Sequence, residues 1–119
     1  MSNKVAVFIY ESTAGDLSRA FRGLSTAKEF IQAGDDVKVI FDGSGVETIA
    51  AIVNSQHPLN GIYEAIRSNV EGACGFCAIS PSHNVKAKLE EVGIKLLTDN
   101  NGEASVRKYA NSGYTILNF

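Results

Sequence analysis

Unbroken apolar runs alternate along this chain with stretches whose apolar residues recur every three or four positions. Lys4 to Tyr10 is the first run, rich in Val and with no polar residue inside it. A strand buried on both faces of a parallel sheet reads this way, because neither face meets water. Glu11 to Gly15 is a loop, and Asp16 is placed to cap a helix. In that helix Leu17, Ala20, Phe21, Leu24, Ala27 and Ile31 form one apolar stripe, and Gly34 closes it.

Val37 to Phe41 predicts the second strand, and Asp42-Gly43-Ser44-Gly45 a tight turn. Ser44 and Glu47 stand three apart, as in a capping box, ahead of a short stripe of Val46, Ile49, Ala50 and Val53. Pro58 suits the first turn of a helix that buries Leu59, Ile62, Ile66 and Val70. Val70 to Cys74 reads as the third strand, with Ala73 to Ile79 as the alternative. Pro81-Ser82 opens a helix carrying Val85, Leu89 and Val92, closed by Gly93. Ile94 to Leu97 is strand-like, Asn101 is placed to cap a helix through Ala110, and Tyr114 to Leu117 is the last strand.

Strands alternating with helices imply right-handed crossovers. The expected fold is a single α/β domain over residues 1–119, with a mostly parallel five-stranded sheet, helices on both faces and flavodoxin-like layering. In such sheets reactive groups sit outside the carboxyl ends of the strands. The loops at Glu11–Gly15, Asp42–Gly45 and Cys74–Ser82 converge on that edge.

Composition narrows the function classes. A net charge of −2, with no basic run, leaves no electrostatic footprint for nucleic acid or anionic lipid. No apolar run approaches the roughly 20 residues that span a bilayer. The short apolar run after Lys4 lacks the length and cleavage pattern of a secretory signal. The expectation is a soluble, cytoplasmic protein, where two cysteines are reduced, catalytic or metal-binding rather than a staple.

Those cysteines carry the strongest candidate chemistry. Cys74 and Cys77 lie in Glu71-Gly72-Ala73-Cys74-Gly75-Phe76-Cys77-Ala78, where a strand would hand over to a helix. A thiolate is the reactive form, and a helix N-terminus lowers a thiol's pKa. The pair reads as a redox couple, with Cys74 attacking and Cys77 resolving. It also reads as a carrier site holding a transferred group such as a persulfide, or as two inert buried thiols. As a metal site it is incomplete, since zinc takes four protein ligands, or three and water, and only His57 and His83 remain. His83 or His57 could tune the thiol or move a proton. Glu11 could face the same edge, or be a solvated loop charge. Gly43-Ser44-Gly45 resembles a small phosphate cradle, though a tight turn explains it equally and the P-loop lysine is absent. Tyr10, Phe41 and Phe119 read as core or interface residues. No cofactor is expected.

In its order and spacing the chain resembles the DsrE/DsrF-like sulfur-relay family. The resemblance runs through Lys4–Tyr10, the helix ending Ala33-Gly34, and Val37-Lys38-Val39-Ile40-Phe41-Asp42-Gly43-Ser44-Gly45-Val46. It continues through Ala73-Cys74-Gly75-x-Cys77 and a closing Gly113 to Phe119. It implies a small α/β fold assembled as homotrimers or homohexamers. It also implies a sulfur-carrier partner and a persulfide carried on the residue matching Cys74. Cys77 matches a second cysteine position found in only part of the family. Many relatives continue with a short helix and an Arg-Gly or Lys-Gly step, where this chain has Ala78-Ile79-Ser80-Pro81-Ser82-His83-Asn84. A non-catalytic oligomeric module binding a small ligand at the sheet edge is the alternative reading.

Overall fold

The computed structural model describes residues 2–119; Met1, which the single-domain and leader readings include, lies outside them. Its centre is β1 (Lys4–Ile9), whose Val5 to Ile9 are all within 2% of complete burial. β2 (Asp36–Phe41) pairs with it in register, Val5 with Val37 through Ile9 with Phe41. β3 (Val70–Cys74), β4 (Leu96–Leu97) and β5 (Thr115–Asn118) complete the sheet in the order β4-β3-β2-β1-β5. Every pairing is parallel. Among the described residues the sheet is therefore wholly rather than mostly parallel. The order in which strands are added reverses across the sheet between β1 and β5.

Helices lie on both faces. α1 (Ser18–Gln32) packs on the side of β1 that carries Ile9: β5 continues the register to Phe119 beside Ile9, and a side chain at Gly23 would meet the Phe119 ring at 3.1 Å. α6 (Val106–Asn111) lies on the other side, where Tyr109 meets Phe8 edge-to-face at 5.8 Å. α2 (Gly45–Ile52), α3 (Asn60–Ile66), α4 (Gly75–Ile79) and α5 (Lys86–Glu91) fill the remaining crossovers. Gly34 ends α1 as expected. At φ +87° it lets its own N–H reach the Ile31 carbonyl, and the next N–H, of Asp35, reach Phe30. The same bond pair closes α5 at Gly93 and α6 at Gly113.

Several local expectations give way to tertiary bonding. α4 interrupts what reads as a continuing apolar run. Pro81 to Asn84 is a turn rather than a helix start, since His83 and Asn84 both donate to the Ser80 carbonyl. Ser105, not Asn101, caps α6 by accepting the Lys108 N–H at 3.1 Å. The capping box at Ser44 is not formed. Among the described residues no helix is long and apolar enough to cross a membrane.

Candidate functional site

Register builds the site. Ile9 pairs with Phe41, and Phe41 with Ala73. One step on, Tyr10, Asp42 and Cys74 form the next rung at the carboxyl ends of three neighbouring strands. Side chains alternate along a strand, so this rung shares the face of Phe8. Tyr10 stacks on Phe8 with ring centroids 6.3 Å apart. Cys74 also caps α4, and one helical turn brings Cys77 back over the rung. The Asp42 carboxylate and the two sulfurs all lie within 4.8 Å of one another. The Cys77 S–H donates to Asp42 Oδ1 at 3.7 Å, and both thiols are free. Local contacts hold this turn in place. The Phe76 N–H donates to the Gly102 carbonyl at 2.8 Å, and a side chain at Gly75 would meet the Thr98 methyl at 2.6 Å.

The two thiols differ in access. Cys74 is 1% exposed, whereas Cys77 is half-buried. Burial pushes the Cys77 thiol up to about 12, helped by the neighbouring Cys74 and by the Asp42 charge. The lowering expected of a helix N-terminus is overridden there, because a five-residue helix offers little field against an acidic, desolvated pocket. Burial and Asp42 likewise push the Tyr10 hydroxyl up to about 12. A thiol titrating this high is almost wholly protonated near neutrality. Its alkylation by iodoacetamide, in chelator, is expected to climb about tenfold per pH unit from pH 7 to pH 11. Asp42→Asn removes a charge that raises the thiol and is expected to speed the reaction several-fold at pH 8. A rate that levels off by pH 8 would contradict this environment.

Ser44 and His83 support the turn from outside the trio. His83 Nδ1 lies 2.9 Å from the Cys77 carbonyl, which only accepts, so Nδ1 carries the proton. Nε2 lies 3.3 Å from the Ser44 hydroxyl, within hydrogen-bond reach. The Ser44 side chain, expected to cap α2, is used here to tie α2 to α4 through the imidazole. His57 stands apart, where its Nδ1 accepts the Leu59 N–H at 3.0 Å.

Glu11 stands at the expected edge, but its carboxylate is turned into the fold. Oε2 accepts the Leu17 N–H at 3.1 Å, and Oε1 accepts the Ala20 N–H at 2.9 Å. It is 4% exposed, and it caps α1 in the place expected of Asp16. Asp16 instead accepts the Ser18 N–H at 2.9 Å. The glycine turn is no open cradle either. A Cβ on Gly45 would fall 1.9 Å from the Ile9 carbonyl oxygen, and one on Gly43 3.2 Å from the Tyr10 ring. These glycines let α2 press against the end of β1.

Beside the rung lies a cleft of about 600 Å³, walled by Asp42, Asp99, Asn100, Glu103, Arg107 and Lys108. Lys108 is paired with Asp99 at 3.2 Å. Asp42 therefore belongs both to the thiol cluster and to the cleft. Sequence reasoning passes over Asp42 as turn and Tyr10 as core. The usable signal is their shared offset, each being the first residue after an apolar strand.

No family model matches the chain. The fold is similar to that of a conserved protein of unknown function, BT1422 from Bacteroides thetaiotaomicron. The TM-score is 0.65 over 96% of this chain and 94% of that one, at 19% identity, a likeness of fold alone. In sequence the chain is 33% identical, over 93 residues, to the uncharacterized protein MJ0733 of Methanocaldococcus jannaschii. The match covers 76% of this chain and 72% of that protein. By that likeness, the chain belongs to the family of MJ0733.

Proposed function

We propose that this protein carries sulfane sulfur as a cysteine persulfide at the Cys74–Cys77 pair and passes it to a partner. The observation that carries the reading is the meeting of two free thiols at the carboxyl edge of the sheet, beside a cleft that a donor can enter. The resemblance to sulfur-relay proteins around Ala73-Cys74-Gly75-x-Cys77 supports a sulfur role for the pair but matches the carrier to Cys74, which is only 1% exposed here. Cys77 is the more accessible thiol and is the one assigned to receive sulfur; Cys74 lies behind it. Phe76 and Ile79, 60% and 56% exposed on the same short helix, give a protein partner an apolar surface beside the thiol.

In the loading step the Cys77 thiolate attacks the terminal sulfur of a donor persulfide. A sulfur–sulfur bond forms on Cys77 and the donor's breaks. The donor leaves as a thiolate and takes up the proton that Cys77 gave up. A partner thiolate unloads the sulfur by the same exchange. If Cys74 instead attacks the Cys77 sulfur, the pair closes to a disulfide and hydrosulfide leaves.

Intact mass after incubation with glutathione persulfide tests this. Wild type and Cys74→Ser are expected to gain one sulfur atom and Cys77→Ser none, with wild type losing it faster through disulfide closure. No gain in any form would sink the reading. It would leave the binding-module alternative, which the cleft favours because its volume suits a small ligand.

A further inference from the structure

We infer that Asp42, Cys74 and Cys77 form a three-donor site, bordering the cleft, for a soft divalent cation of the zinc class. Two thiols and one carboxylate are the donor types that zinc takes. They come from three elements, the ends of β2 and β3 and the first turn of α4, and their ligand atoms already lie within 4.8 Å of one another.

The spacing also suits a tetrahedron. With zinc–sulfur bonds of about 2.3 Å and zinc–oxygen bonds of about 2.1 Å, the sulfur–oxygen edge is about 3.6 Å. The Cys77 sulfur and Asp42 Oδ1 stand 3.7 Å apart. The Gly43 N–H donates to the same Oδ1 at 2.7 Å and fixes the carboxylate's orientation, as an outer partner of a metal ligand does. Binding displaces two thiol protons to solvent and leaves two thiolates and a carboxylate on the metal, so the dication enters with no change in the site's net charge of minus one. Three protein ligands leave one position free, the pattern of a reactive rather than a purely structural zinc. Asp42 also lines the cleft, so the trio borders open space on its carboxylate side. A cation held here would cap both sulfurs and shut out a sulfur donor.

The inference rests on the donor geometry and not on the sulfur reading. The experiment is a cobalt(II) titration of the reduced, chelator-stripped protein, followed by competition with zinc. One equivalent of cobalt with thiolate charge-transfer absorption and tetrahedral visible bands, displaced by zinc, is expected. Cys77→Ser, at a half-buried position, is expected to lose the charge-transfer band. Asp42→Asn is expected to weaken cobalt at least as much as the ten- to hundredfold typical of outer partners. Far-ultraviolet circular dichroism confirms that both variants remain folded, and His57→Gln, remote from the trio, is expected to bind as wild type does. Folded wild type that takes up no cobalt overturns the site, as does cobalt binding unchanged by both Asp42→Asn and Cys77→Ser. Cobalt binding without sulfur loading keeps the site and removes the relay; sulfur loading without cobalt binding does the reverse.

Discussion

Gly45→Ala is expected to destabilise the fold by about 3 kcal/mol, the upper end of what overpacking costs and a large part of a small domain's stability. The added methyl would sit 1.9 Å from the Ile9 carbonyl oxygen, and a backbone atom cannot rotate aside as a side-chain tip would. That carbonyl also accepts the Asp42 N–H at 3.0 Å. Relief therefore means moving α2 off the end of β1, or giving up the bond that continues the ladder into the Tyr10–Asp42–Cys74 rung. Gly61→Ala is the matched control, since it lies in α3 with nothing within 4 Å of the new methyl. It is expected to be stabilising by up to about 1 kcal/mol through helix propensity. Urea unfolding of both variants, with the slope checked for constancy, reads the difference. A Gly45→Ala midpoint at the wild-type value would mean that the close approach of α2 is not needed.

This reverses the role that the Gly43-Ser44-Gly45 pattern suggests. Small residues before a helix look alike whether they admit a phosphate or a neighbouring backbone. Local spacing does not distinguish the two, because the distinguishing atom, the Ile9 carbonyl, lies 36 residues away. The same limit runs through the rest of the chain. β1 and β2 are legible because both faces are buried and the runs are unbroken. The stripe of α1 is legible in Ala20, Leu24 and Ala27, which are fully buried, though Phe21 is 46% exposed and Gly23 takes part in the packing against Phe119. α4 is hidden because Gly75 to Ile79 carries the apolar composition of a continuing strand. What turns it is tertiary, the bond from Phe76 to Gly102 and the tight seat of Gly75 against Thr98.

The chemistry divides in the same way. Cys74 and Cys77 stand out by spacing. Asp42 and Tyr10 belong with them through the register of three strands, and register is a property of pairs of segments that no single segment displays. The acidic surroundings of Cys77 follow from that register. A motif that invites the expectation of an activated thiol is set among groups that keep the thiol protonated, until a donor, a partner or a cation changes the local charge.

Glu11→Ala is expected to cost about 3 kcal/mol and to lower the melting temperature by about 10 °C. The carboxylate accepts from the N–H groups of Leu17 and Ala20, and truncation leaves both without a partner where α1 meets the sheet. A hydrogen bond to a charged group contributes about 1.5–3 kcal/mol, and a buried donor left unmade costs about 1–3 kcal/mol. Water replaces the carboxylate poorly at a position 4% exposed. Arg19, 3.9 Å from Oε2 and itself exposed, adds little to this, so Arg19→Ala is expected to lie within about 1 kcal/mol of wild type. Glu11→Gln keeps one acceptor oxygen but turns an amide N–H₂ toward the second backbone donor, and is expected to fall between wild type and the alanine variant. The decisive comparison sets stability against thiol chemistry in the same samples. A capping role predicts that Glu11→Ala, held below its melting temperature, loads sulfur and binds cobalt as wild type does. Unchanged stability with lost loading or lost binding would instead return Glu11 to the site, with a carboxylate that leaves the α1 N-terminus to meet the ligand.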